Sequence, residues 1–380
     1  MRTAVFNLGF RPFFILGSLA GSGLMLVWVL LLSGQGGWTS IQNPLAWHRH
    51  EMIFGYAGAI LAGFLLTAVR RWTGKKTPDG WPLALLALVW LGARLMPLAG
   101  GPLMLYALLD LIFWAGLWVS LWPALKDSEL SNRVFLLLIA GLFLAALASH
   151  GEHLGHASFW LGHLGAHLGL DLFVVILLLV AGRILPFFIQ LGLQVPAFPR
   201  PAWLEKPLPF LFAALLLADL LAPFSIWSAA ANILLAVWML PRLWIWHHPG
   251  IWKTPLLWSL YLAFIWLLLG LVLRGLGMLE LINPYMGIHA LGVGGLGLMT
   301  LSMMSRISLG HTGRPLKPSP WIVLAFALML VAALVRVFAT SSLGLPAYHL
   351  AATCWSLALL IFVLVYTRIL ISPRPDGQPG

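Results

Sequence analysis

The feature that most constrains this chain is the recurrence of apolar runs long enough to cross a lipid bilayer. A helical span needs about 20 mostly apolar residues. Such runs follow one another at roughly 13–33, 45–69, 81–98, 102–123, 133–150, 161–185, 207–222, 224–244, 255–276, 284–307, 319–340 and 345–370. Lipid offers no hydrogen bonds to a backbone, so each run must satisfy its own peptide groups, which continuous runs rich in Leu, Ala and Gly do as helices. A composition of 61% hydrophobic and only 9% charged residues over 380 positions excludes a water-soluble domain. The expected fold is therefore all-α: a polytopic membrane bundle of about twelve transmembrane helices, with 1–380 forming a single integral-membrane domain. No internal repeat, low-complexity segment or soluble domain interrupts the pattern. "MRTAVFNLGFRPFF" carries no cleavable signal pattern and leads directly into the first span.

Charge gives the orientation. A net charge of +11 would suggest nucleic acid in a soluble protein. In a membrane protein it reflects Lys and Arg gathered in cytoplasmic loops. With the N-terminus inside, all but Arg49, Arg94, Arg274 and Arg336 of the 22 Lys and Arg fall on the cytoplasmic side. Both termini are therefore expected to be cytoplasmic, and no nucleic-acid partner is expected. The single cysteine, Cys354, excludes an intramolecular disulfide and a Cys-x-x-Cys-His haem attachment, so any haem would be held non-covalently.

The twelve histidines sort by side on this topology. His247, His248 and His311 fall inside. His48 and His50 open the second span, His163 and His167 the sixth, His289 the tenth and His349 the twelfth. His150, His153 and His156 lie after the fifth. Four spans entering from the outer face thus carry histidine within two turns, at similar shallow depth. Imidazole ligates copper, zinc and haem iron, which makes His48, His50, His289, His349, His163 and His167 the haem or metal ligand candidates. His150, His153 and His156 form a secondary metal set. Taken singly, each is more often an interfacial or helix-to-helix hydrogen-bonding residue than a ligand; the agreement in depth favours a site. His48 and His50, two apart, point to different faces of a helix and are expected to have different partners.

Glu51, Asp171, Asp110 and Glu152 are outer or intramembrane acids, suited to orienting a ligand or relaying protons. His163, His167 and Asp171 share one helical stripe. Arg49, Arg94, Arg274 and Arg336 are candidate partners for haem propionates, with ion pairing to Glu51, Asp219 or Glu280 as the alternative. The glycines in "IHALGVGGLGLM" (288–299) suit close approach of either a helix or a flat macrocycle. "SRISLGHTGRP" (305–315) reads as a helix stop in which Gly310 takes the left-handed position.

Four stretches, "GFRPFF" (9–14), "WHRHEMIFGYAGAILAGFLLTAV" (47–69), "RWTGK" (71–75) and "SRISLGHTGRP", resemble the signature segments of the NnrS family. The resemblance covers most of the chain and the twelve-span layout. It implies a protein of the bacterial inner (cytoplasmic) membrane, linked to nitric oxide metabolism and nitrosative-stress tolerance and containing haem and copper. The expectation that follows is a haem b protein, with copper or a second haem, that binds and reduces nitric oxide in the periplasmic half of the bundle. Electrons would come from a quinol or a periplasmic donor, and lipid would be its surroundings. Two other functions compete: a non-catalytic haem or copper protein that senses, buffers or protects against nitric oxide, and a metal or solute transporter. A transporter should concentrate its polar groups near the midplane, where Asp110 is the best candidate. Haem–copper oxidases share the layout by analogy only, because an adjacent His-His pair in the outer half is missing.

Overall fold

A computed structural model of the chain describes residues 4–38, 40–155 and 159–378. Among the described residues there are twelve apolar helical stretches: α1 Phe10–Leu32, α2 Pro44–Thr73, α3 Gly80–Leu95, α4 Leu103–Leu125, α5 Leu130–His153, α6 Phe159–Leu193, α7 Leu208–Leu221, α8 Ile226–Ile245, α9 Pro255–Met278, α10 Tyr285–Gly310, α11 Pro320–Leu343 and α12 Leu345–Ile371. Ten are long and apolar enough to cross a membrane. The exceptions are α3 and α7, with 16 and 14 residues. No strand occurs among the described residues.

Three of these helices are not uniform. In α2 the backbone widens into a π-helical turn over Glu51–Ala57, in α10 over Ala290–Gly297 and in α11 over Val335–Ala339. Such turns insert an extra residue into an α-helix and gather at functional sites. Hydrophobic periodicity does not reveal them, because a continuously apolar span keeps its character whatever its winding. Two begin directly after a histidine, His50 and His289, and the third contains Arg336.

The helices group into two compact units, one of residues 1–169, 304–316 and 359–380, the other of 170–303 and 317–358. In the first unit α1 packs against α2, α2 against α4, and α3 and α5 against α4. The start of α1 explains "GFRPFF" structurally. Arg11 is fully buried and donates to the carbonyls of Leu370, at 2.6 Å, and Ser372, at 2.9 Å. The amide of Phe10 donates to Thr67 Oγ1 at 3.0 Å. Arg11 is therefore a clamp on the end of α12, more than a topology charge. In "SRISLGHTGRP" the helix runs through Gly310, and the left-handed residue is Gly313, at φ +69°. That corrects the expected stop by three residues.

In the second unit α9 packs against α8 and α10. The crossing with α10 is close: a Cβ on Gly287 would overlap the backbone of Arg274, and one on Gly295 would meet the Leu267 side chain at 2.5 Å. Helix packing thus accounts for the buried glycines of "GVGGLG". Gly292 differs, for a Cβ there would meet nothing within 4 Å.

Candidate functional site

The first unit builds its polar core from four helices. His50 closes the α-helical start of α2, which Asn43 caps by accepting from the Ala46 amide at 3.1 Å. Asp110 comes from α4 and His150 from the end of α5. All three side chains are buried, at 0%, 0% and 1% exposure. His50 Nε2 and His150 Nε2 each lie 3.1 Å from the same oxygen, Asp110 Oδ2. The two imidazole rings are 4.1 Å apart. One ligand atom from each residue falls within 4.8 Å of the others, so the three could hold a metal ion. His50 Nδ1 bonds Ser149 Oγ at 3.0 Å, the kind of contact that fixes the tautomer of a ligating histidine.

A buried carboxylate needs a compensating charge. Arg94 of α3 supplies it, bonding Asp110 Oδ1 through Nη2 and facing Glu51 Oε2 through Nε at 3.3 Å. Glu51 also accepts from the Tyr106 hydroxyl at 2.7 Å. Tyr106 stands edge-on to both imidazoles, with ring centres 5.5 and 4.7 Å away. Gly55, in the π-turn, makes room for this network. A Cβ there would meet Arg94 Nη1 at 2.5 Å and Glu51 Oε2 at 2.6 Å. Beside the network lies a cavity of about 70 Å³, lined by Ser40, Gln42, Asn43, Trp47, Tyr106 and Glu152.

Other candidates gather differently. His48 stacks on Trp28 at 4.3 Å with only 13° between the rings, while His50 faces Asp110. Arg49 bonds His163 Nδ1 and pairs with Glu152 at 3.0 Å. The rings of His163 and His167 are 4.4 Å apart. Asp171 pairs with Arg274. His289 Nδ1 lies 2.8 Å from the Tyr285 carbonyl. A carbonyl only accepts, so Nδ1 carries the proton and Nε2 the lone pair. Arg336 lies over the Tyr348 ring at 4.6 Å, and His349 follows, half-buried on α12. His156 and the side chain of His153 lie outside the described residues.

Arg94 and Arg274 are both occupied by carboxylates of the chain, the pairing set beside the propionate reading above. Ser149 and Tyr106 were missed in sequence. Ser149 directly precedes His150, but a serine or tyrosine in an apolar span carries no signal until its neighbours are known. Asp110, expected to orient a ligand or relay protons or simply to be a satisfied buried carboxyl, is buried with Arg94 and both histidines directed at it.

A family model described as NnrS protein matches residues 4–374. Among curated proteins none matches the chain. A match over nearly the whole length, including the segments that carry His50, Asp110 and His150, shows that the chain belongs to the NnrS family.

Proposed function

We propose that this protein serves the nitric oxide response from within the bacterial inner membrane, binding nitric oxide at metal centres and reducing it. The observation that carries the reading is the convergence of His50, Asp110 and His150, from three helices, on one buried point. Family membership supports the link to nitric oxide.

Two cofactor classes fit different residues. The His50–Asp110–His150 set, two imidazoles and a carboxylate, suits a single ion such as copper. It does not suit the two faces of one haem, since its rings are only 4.1 Å apart with both Nε2 atoms on one oxygen. Haem b fits His289, whose Nδ1–H is held by the Tyr285 carbonyl, as an iron-ligating histidine requires. Gly292, one turn on, leaves its face of α10 open, and the π-turn bearing Arg336 packs against residues 285–289. Arg336 would then pair with a propionate. When bound, these groups supply the nitric oxide ligation and electron transfer that side chains cannot.

The chain's own part is proton handling. Reduction of two nitric oxide molecules to nitrous oxide and water takes two electrons, from a quinol or a periplasmic donor, and two protons. Tyr106 reaches from the cavity to Glu51 Oε1, so Glu51 is placed to receive a proton there. Arg94 holds Glu51 and Asp110 in place without passing protons, because guanidinium keeps its charge.

Purified protein should contain haem and a second metal, and should consume nitric oxide when given a reductant. His50→Ala and His150→Ala should each lose the second metal and keep haem; His289→Ala should do the reverse. Protein loaded with both that binds nitric oxide without consuming it would overturn the reductase reading. Normal metal content in all three variants would overturn the ligand assignment.

A further inference from the structure

The second unit contains a buried charge cluster to which the proposed chemistry gives no role. Arg274 of α9, 3% exposed, bonds Asp171 of α6 through both terminal nitrogens, the Nη2–Oδ2 distance being 3.2 Å. The same Nη2 lies 3.1 Å from Asp219 Oδ2 of α7. Asp171 and Asp219 are 0% and 1% exposed and within hydrogen-bond reach of each other. From α8 come only neutral groups. Ser228 Oγ donates to Asp219 Oδ1, and Asn232 bonds Asp219 and the Ser228 carbonyl.

The charges do not close. One guanidinium faces two carboxylates, and an uncompensated charge in a dry interior is costly. A hydrogen bond between two carboxyl groups also requires a hydrogen that neither carboxylate owns. Asn232 Oδ1, on a fully buried side chain, has no hydrogen-bond partner, and neither has Arg274 Nε. One added proton balances the charge and supplies the hydrogen between the two carboxyls.

We infer that the Arg274–Asp171–Asp219 cluster is a proton-binding site, with the proton on Asp219. Asp171 holds the guanidinium with both oxygens. Asp219 makes the single contact and is the group that two like carboxyls in contact would neutralise. The site needs no metal and no histidine, and it stands apart from the nitric oxide reading.

Infrared spectroscopy of the full-length protein in lipid nanodiscs tests this directly. A carboxylic-acid carbonyl band, shifted by deuterium exchange, should be present at neutral pH and lost in Asp219→Asn. The wild type should also lose thermal stability as pH rises from about 4, where an ordinary aspartate ionises, to the point at which Asp219 gives up its proton, whereas Asp219→Asn, which mimics the neutral acid, should lack that decline. Persistence of the whole carboxylic-acid band in Asp219→Asn, or an unchanged decline, would overturn the assignment.

Discussion

Arg94 in the first unit and Arg274 in the second do the same thing with different company. Each is buried and bridges two carboxylates from two other helices: Glu51 and Asp110 in one case, Asp171 and Asp219 in the other. Each cluster is one positive charge short. Around Arg94 the neighbours are His50, His150 and Tyr106, groups that bind a cation or carry a proton. Around Arg274 they are Ser228 and Asn232, with no imidazole or phenol. A metal is proposed to complete the first cluster and a proton on Asp219 the second. A buried arginine–dicarboxylate motif thus says little about chemistry until its third neighbour is known.

The sharpest test removes one acid from each cluster. Asp110→Ala and Asp171→Ala each take one carboxylate from a buried arginine that keeps its second acid, Glu51 or Asp219, and loss of a hydrogen bond to a charged group costs about 1.5–3 kcal/mol. Thermal unfolding should fall by similar amounts in both, while metal content should fall only in Asp110→Ala. Equal metal loss in the two would erase the distinction.

A smaller effect is expected from Gly55→Ala. The added methyl would meet Arg94 Nη1 and Glu51 Oε2, and overpacking of this kind costs about 1–3 kcal/mol. No glycine of the second unit touches both members of its pair. Denaturant midpoints and metal affinity should therefore fall together in this variant, and unchanged affinity would show that Arg94 does not order the centre.

Tyr106→Phe should cost about 1 kcal/mol, the value of a single buried hydrogen bond. It should slow nitric oxide consumption without altering metal content. A variant that consumes nitric oxide at the wild-type rate would remove Tyr106 from proton delivery.

A pH-dependent effect is expected outside both clusters. His311 follows α10, and burial, with Arg71 and Arg374 nearby, pushes its pKa down from 6.5 to about 4. As pH falls below 6.5 the unfolded chain takes up this proton first, so stability should decline between about 6.5 and 4 and be independent of His311 above that window. His311→Gln should flatten this limb in a melting-temperature profile. If the acid limb is the same in the variant, it arises from the buried clusters instead.

Sequence made the bundle legible because bilayer thickness imposes length and lipid imposes composition; the twelve apolar stretches are helices at nearly the expected positions. It also pointed to His50, Asp110, Glu51 and Arg94 as residues out of place in lipid. It did not show that His50 meets His150 across a separation of 100 residues, because spans are independent in sequence and are joined only by packing. Nor did it show that Arg274 belongs with Asp171 and Asp219, since an arginine at a span end looks the same whatever it faces. Arg11, counted among the topology charges, proved to be a buried clamp, which periodicity in a uniformly apolar helix cannot reveal.

The wide turn after His50 has a consequence for how this helix tolerates change. One residue of an α-helix corresponds to about 100° of rotation, so the extra residue within Glu51–Ala57 sets the phase between the two ends of α2. Winding the same residues as a regular helix would keep the apolar length nearly intact. It would swing His50 about 100° away from Asp110 while the far end kept its grip on α1. The protein would insert and fold, but its histidine would be out of register with its partners, like a key cut correctly and turned a quarter too far.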